Sequence, residues 1–104
     1  TPETGPVVLV GLGGALAEAY REVSIRLAPV DAATARGMIA EVQGLTMLLG
    51  RGGDVAALAD AVVAVSDLAR INAPRIAEAE INPLIVKSDG VIAVDGLIVL
   101  SQPQ

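Results

Sequence analysis

The residues of this 104-residue chain best equipped for chemistry lie near its C-terminal end, in "IAEAEINPLIVKSDGVIAVDGLIVL". The stretch is apolar, yet it keeps Glu78, Glu80, Asn82 and Asp95. Carboxylates and an amide carbonyl are hard oxygen donors. They suit Mg²⁺, which takes one or two carboxylates and fills its shell with water and substrate phosphates. They do not suit zinc, which prefers nitrogen and sulfur. The residues the chain lacks narrow the chemistry further. It has no His and no Cys. It therefore offers no imidazole base, no histidine to phosphorylate, no thiolate and no disulfide.

Those side chains need a hairpin to bring them together. Asp89-Gly90 is a dipeptide favoured at the centre of a two-residue turn, where both positions take positive φ. That turn would pair Ser88 with Val91, Leu84 with Asp95, Asn82 with Leu97 and Glu80 with Val99. Alternation with period two then sorts the side chains. One face carries Ile81, Ile85, Ile92, Val94 and Ile98 and is expected to meet the helices. The other carries Glu78, Glu80, Asn82, Leu84, Ala93, Asp95 and Leu97. On it Asn82 and Asp95 are diagonal neighbours, roughly 7–8 Å apart between the two backbones, with Glu80 one pair further on. The plain alternative is a solvated hairpin face, where polar residues are ordinary. Against it, Leu84, Val86, Val91 and Leu97 share the face, so it is apolar at one end and acidic at the other.

The rest of the chain must position this hairpin. "GPVVLVG" (Gly5 to Gly11) reads as a buried strand, and "GLGG" as a turn. "ALAEAYREVSIRLAPV" has helical propensity in its first half, while Val23 to Ala28 alternates like a half-buried strand. Asp31 is a good N-cap for "AATARGMIAEV", whose Ala35, Met38, Ile39 and Val42 fall on one helical face. "QGLTMLLGRGGD" reads as a break. Asp54 caps "VAALADAVVAVSDLARI", with a stripe of Leu58, Ala61, Val62, Val65, Leu68 and Ala69. Asp60, Asp67 and Arg70 lie off that stripe. The order strand, strand, helix, helix, strand, strand predicts one α+β domain over 1–104: a mostly antiparallel sheet with two helices on one face.

Composition excludes several functions. The net charge is −5 and Tyr20 is the only aromatic residue. That argues against nucleic acid, which is bound by basic surfaces and stacking platforms. Tyr20 reads as a packing residue. No apolar run reaches the roughly 18 residues of a membrane span, and no signal peptide is visible. The chain opens "TPETGP" without Met and is read as a processed product or, preferably, an excised fragment of a longer protein.

The order of motifs carries a resemblance. "GPVVLVGLGG", "REVSIRLAPV", "LLGRGG", "AEAEINPLIV" and "GVIAVDGLI" together resemble the C-terminal part of the ATP-grasp domain of NDP-forming acyl-CoA synthetases. These are the ADP-forming acetyl-CoA synthetase and succinyl-CoA ligase group. The resemblance runs from about Gly5 to Leu97, and "EINPL" followed by "VD" is its most specific element. It implies an ATP-grasp lobe in a cytoplasmic ligase that makes an acyl-CoA from a carboxylic acid, CoA and ATP. Acyl phosphate and phosphohistidine lie on the path. It implies that Asn82 and Asp95 hold Mg²⁺ on ATP or ADP, and that Glu80 is catalytic, where the γ-phosphate passes to the histidine. It implies an extended Ala17 to Leu27. The loop at Arg51 is shorter than the family's, which leaves that arginine without an assigned role. Lys87 is the only lysine, whereas phosphoryl transfer needs cationic clamps on the phosphates. The other lobe and a CoA-binding domain or subunit are then the implied partners, and this chain alone is expected to be inactive.

Two other readings compete. One is a non-catalytic interaction or regulatory module related to acyl-CoA synthetases. The other is a dinucleotide-binding half-domain, because "VVLVGLGGALAEA" resembles a glycine-rich strand-to-helix turn. In that reading Leu16 occupies the third glycine position, where close helix packing wants Gly or Ala.

Overall fold

The computed structural model describes residues 5–12, 23–71 and 75–101. Strands β1 (Val7–Gly11) and β2 (Val23–Leu27) pair antiparallel, with Val8 opposite Arg26 and Val10 opposite Ser24. A dinucleotide-binding unit would make its first two strands parallel, so this pairing overturns that reading. Glu18, Tyr20, Glu22, the second half of "GLGG" and the first half of the expected Ala17–Leu27 strand lie outside the described residues.

The β1–β2 ribbon corrects two expectations. β1 is not wholly buried: Val8 and Val10 face inward, while Val7 and Leu9 are exposed. In β2 the polarity is reversed. Val23, Ile25 and Leu27 point outward, and Ser24, only 3 % exposed, faces the helices. Polar residues can take the inner face because they find partners there. Ser24 Oγ donates to Glu41 Oε1 at 2.6 Å, and Arg26 Nη2 reaches Glu41 Oε2 at 2.5 Å. A buried hydroxyl with a charged acceptor carries no desolvation deficit.

Three α-helices follow. In α1 (Ala32–Glu41), Asp31 is the N-cap and its Oδ1 accepts from the Thr34 amide at 2.7 Å. The expected face is confirmed: Ala35, Met38, Ile39 and Val42 are all buried. Helix α2 (Gln43–Leu49) forms where a break was expected. Leu45 is buried in the core, which explains the helix in spite of Gly44. Helix α3 (Val55–Ser66) runs into a 3₁₀ turn, Asp67–Arg70. Asp54 caps it, accepting from the Ala57 amide at 3.0 Å. Leu58 and Val62 are buried and Ala61, Val65 and Leu68 half-buried, while Asp60, Asp67 and Arg70 are exposed, as expected; Ala59 and Ser66, which the stripe left out, are buried as well.

The C-terminal hairpin is β3 (Ile76–Ile81), β4 (Leu84–Lys87), β5 (Gly90–Ala93) and β6 (Gly96–Leu100). β3 pairs with β6 and β4 with β5, both antiparallel. The two ladders are parts of one ribbon, because Glu80 faces Leu97 and Leu84 faces Ala93 in the same register. Two bonds carry that register across the interruption: Asn82 N to Asp95 O and Val94 N to Pro83 O, each 3.1 Å. The expected register is two residues out. The loop is Ser88-Asp89, and Gly90 opens β5 with φ of 138°. Asp89 does not take positive φ, so Asp89-Gly90 is not the centre of the turn. A slip of two preserves the alternation, so the expected face sets keep their membership.

Their orientation changes along the ribbon. Around β3 and β6, Ala79, Ile81 and Ile98 line a shallow recess with Val65 and Leu68, but Glu80 and Leu97 of the other face line it too, and Ile81 and Ile98 stay exposed rather than buried against the helices. Around β4 and β5 the helices instead receive Leu84, Val86 and Val91. Ile85, Ile92 and Val94, expected to face the helices, are exposed. The change occurs at the interruption, where Pro83 has no N–H to give the ladder and the twist can accumulate. The Asn82–Pro83 peptide is cis, as is Ala28–Pro29. The tip is tied to the helical layer through the Asp54 amide, which donates to Lys87 O at 2.8 Å.

Candidate functional site

The interruption in the ribbon builds the site. Glu80 is the penultimate residue of β3, Asn82 follows its end, and Asp95 precedes β6. Their backbones are held by the ladder, so their side chains start from fixed positions. Asn82 lies directly opposite Asp95 rather than diagonal to it, because of the two-residue shift. The shift thus brings the pair closer than the sequence reading had it. Glu80, Asn82, Asp95, Gly96 and Leu97 line one open concavity of about 410 Å³.

Two side-chain bonds order this group. Asn82 Nδ2 donates to Glu80 Oε1 at 3.3 Å. The Gly96 amide donates to Asp95 Oδ1 at 2.9 Å. All three polar side chains are exposed. Among the described residues no set of three or more acids, histidines or cysteines gathers as a ligand cluster. The donor set is two carboxylates and an amide. It fits a hard divalent cation that keeps waters and binds phosphate oxygens, and does not fit a fully protein-coordinated metal.

Of the other polar residues considered, Glu78 lies on β3 opposite Val99 and does not line the concavity. Arg51 is exposed in the turn after α2, and Lys87 sits at the hairpin tip. Sequence reasoning missed Gly96. Its amide fixes Asp95, and the Asp-Gly pair at 95–96 was the signal for it. It also missed the Ser24–Arg26–Glu41 network, whose signal was the period-two spacing of Ser24 and Arg26.

An antiparallel α+β lobe with a cation-suited acid–amide pair at a hairpin interruption defines the class. The chain belongs to the ATP-grasp family, whose ATP-grasp domain matches residues 1–100. It is 40 % identical over 103 residues to the β subunit of an ADP-forming acetate–CoA ligase I of Pyrococcus furiosus, covering 95 % of this chain and 44 % of that subunit. It is 34 % identical over 105 residues to the ADP-forming acetate–CoA ligase I of Archaeoglobus fulgidus, of which it covers 15 %. Among solved structures it superimposes on the acetyl-coenzyme A synthetase 1 of Ca. Korarchaeum cryptofilum with a TM-score of 0.85 and 38 % identity, covering 97 % of this chain and 46 % of that one. That structure holds coenzyme A, acetyl-coenzyme A and a phosphorylated phosphohistidine segment. A second structure of the same synthetase holds coenzyme A and Mg-AMPPCP, with the phosphohistidine segment pointing towards the nucleotide-binding site. This chain therefore spans half or less of the length of the relatives it matches. The resemblance read from "EINPL" and "VD" is borne out at the level of the family.

Proposed function

We propose that this chain forms one wall of the nucleotide and Mg²⁺ site of an ADP-forming acyl-CoA synthetase, a cytoplasmic ligase that joins a carboxylic acid to CoA. The observation that carries the reading is the direct opposition of Asn82 and Asp95 beside Glu80 in one concavity. Asn82 Oδ1 and an Asp95 carboxylate oxygen would hold Mg²⁺. When bound, the ion offsets the negative charge of the triphosphate.

Glu80 serves the acceptor. This chain has no histidine, so the acceptor imidazole comes from another domain or subunit. The Glu80 carboxylate accepts a hydrogen bond from one ring N–H and so fixes the tautomer. The lone pair of the other ring nitrogen forms the P–N bond. The P–O bond to the nucleoside diphosphate breaks, and its electrons leave with ADP. The phosphohistidine so formed exchanges with acyl phosphate in the path to acyl-CoA. Partners on this reading are the second lobe of the clamp and a CoA-binding domain or subunit.

The test is Asn82→Ala and Asp95→Ala in the full-length enzyme, assayed for acyl-CoA formation across Mg²⁺ concentrations. Each is expected to lower turnover by about 100-fold or more with an unchanged melting temperature. A double variant that turns over normally at low Mg²⁺ would overturn the assignment.

A further inference from the structure

We infer that Asn82 is a positioning residue for Glu80, in addition to being a cation ligand, and that the site needs an amide at this position for that reason. The inference rests on the proposed function above and names a second role within the same site.

The argument starts from the backbone. Asn82 N donates to Asp95 O, and the next residue, Pro83, accepts from Val94 N. A proline also restricts the residue before it. The Asn82 side chain therefore leaves a backbone held on both sides. Its Nδ2 lies 3.3 Å from Glu80 Oε1. The ladder fixes the two backbones, so only the side-chain rotamers of Asn82 and Glu80 remain to be ordered by that bond.

An amide has a donor end and an acceptor end. Once Nδ2 is committed to Glu80, Oδ1 is left as the cation-facing acceptor. One side chain then orders the acid and supplies a neutral ligand. Asp95 is ordered separately, by the Gly96 amide. A carboxylate at position 82 would still offer oxygen to a cation. It would have no donor for Glu80, and it would set a second negative charge beside the first. Ligand strength and acid positioning are thus separable by Asn82→Asp.

The experiment uses the full-length enzyme. Two quantities are measured for wild type, Asn82→Asp and Asn82→Ala: the Mg²⁺ concentration that half-saturates ATP binding, and the rate of phosphoenzyme formation at saturating Mg²⁺ and ATP. Asn82→Asp should half-saturate at the wild-type Mg²⁺ concentration or below it. Its saturated phosphorylation rate should nonetheless fall by about 100-fold, the signature of an interaction spent in the transition state. Asn82→Asp phosphorylating at the wild-type rate overturns the positioning role. So does a defect that saturating Mg²⁺ removes, because Asn82 would then be a ligand and nothing more. Failure of the underlying reading looks different. In that case Asn82→Ala keeps both the wild-type Mg²⁺ dependence and the wild-type rate.

Discussion

Asp95 has one carboxylate oxygen bound by the Gly96 amide, which leaves the other free for a cation. An amide in its place could still accept from Gly96 but would carry no charge. Asp95→Asn in the full enzyme should therefore raise the Mg²⁺ requirement about 10-fold while changing stability by under about 0.5 kcal/mol. A Mg²⁺ titration of activity beside a thermal melt checks both halves. Gly53 shows a different residue-level constraint. A Cβ there would sit 2.6 Å from Leu49 Cδ2 and 3.3 Å from Val86 Cγ1. Leu49 Cδ2 is the end of a flexible, half-buried side chain that can move aside, so Gly53→Ala should cost under about 1 kcal/mol, read as a slightly lower denaturation midpoint. The types of Glu80, Asn82 and Asp95 were legible in the sequence because hard oxygen donors stand out in an apolar strand. Ser24 was not legible as a core residue, because its burial depends on Glu41, 17 positions away.

At the scale of elements, the β1–β2 ribbon and α1 are joined by the Ser24–Arg26–Glu41 network as well as by apolar packing. The hydrogen bond from Arg26, and then that from Ser24, hold the Glu41 carboxyl below the usual glutamate range. A carboxyl lowered in the folded state contributes stability that is fully present above its unfolded value. The contribution is lost as pH falls through the lowered folded value. The stability gap between wild type and Glu41→Gln should therefore be widest near neutral pH. It should close as pH drops through about 4.5, the ordinary value, and below. Thermal melts of both proteins across that range test it, and a gap that widens with acid would contradict the network. Arg26 is raised by the same hydrogen bond, so its contribution is lost only above its ordinary range and leaves the acid limb unaffected. Capping was readable in advance at Asp31 and Asp54, because an N-cap is a local bond. Helix α2 was not, since Leu45 becomes a reason for helix only when a core exists to receive it.

At the scale of the whole molecule, the distribution of apolar surface is uneven. Val7, Leu9, Val23, Ile25 and Leu27 make an outer face of the β1–β2 ribbon, each more than 40 % exposed. Their register pairs, Val7 with Leu27 and Leu9 with Ile25, make that face continuous. It carries no charge to deter association. The 104-residue chain by itself should therefore bind a hydrophobic dye and sediment faster as concentration rises. Leu9→Lys with Ile25→Lys should suppress both effects with a stability change of about 0.5 kcal/mol or less. Dye binding that those substitutions leave untouched would assign the stickiness elsewhere.

The sequence by itself determined what depends on neighbours along the chain. It set the donor chemistry of the site, the capped helices, the alternation that puts Glu80, Asn82, Asp95 and Leu97 together, and the motifs that mark an ATP-grasp domain. The register, two residues from the expected one, came from the local Ser88-Asp89 loop, and it places Asn82 opposite Asp95. Tertiary structure decided what depends on contacts between distant segments, namely which face of each ribbon meets the helices. Alternation defines two faces but does not say which one is buried, because burial is settled by the surface that arrives to cover it.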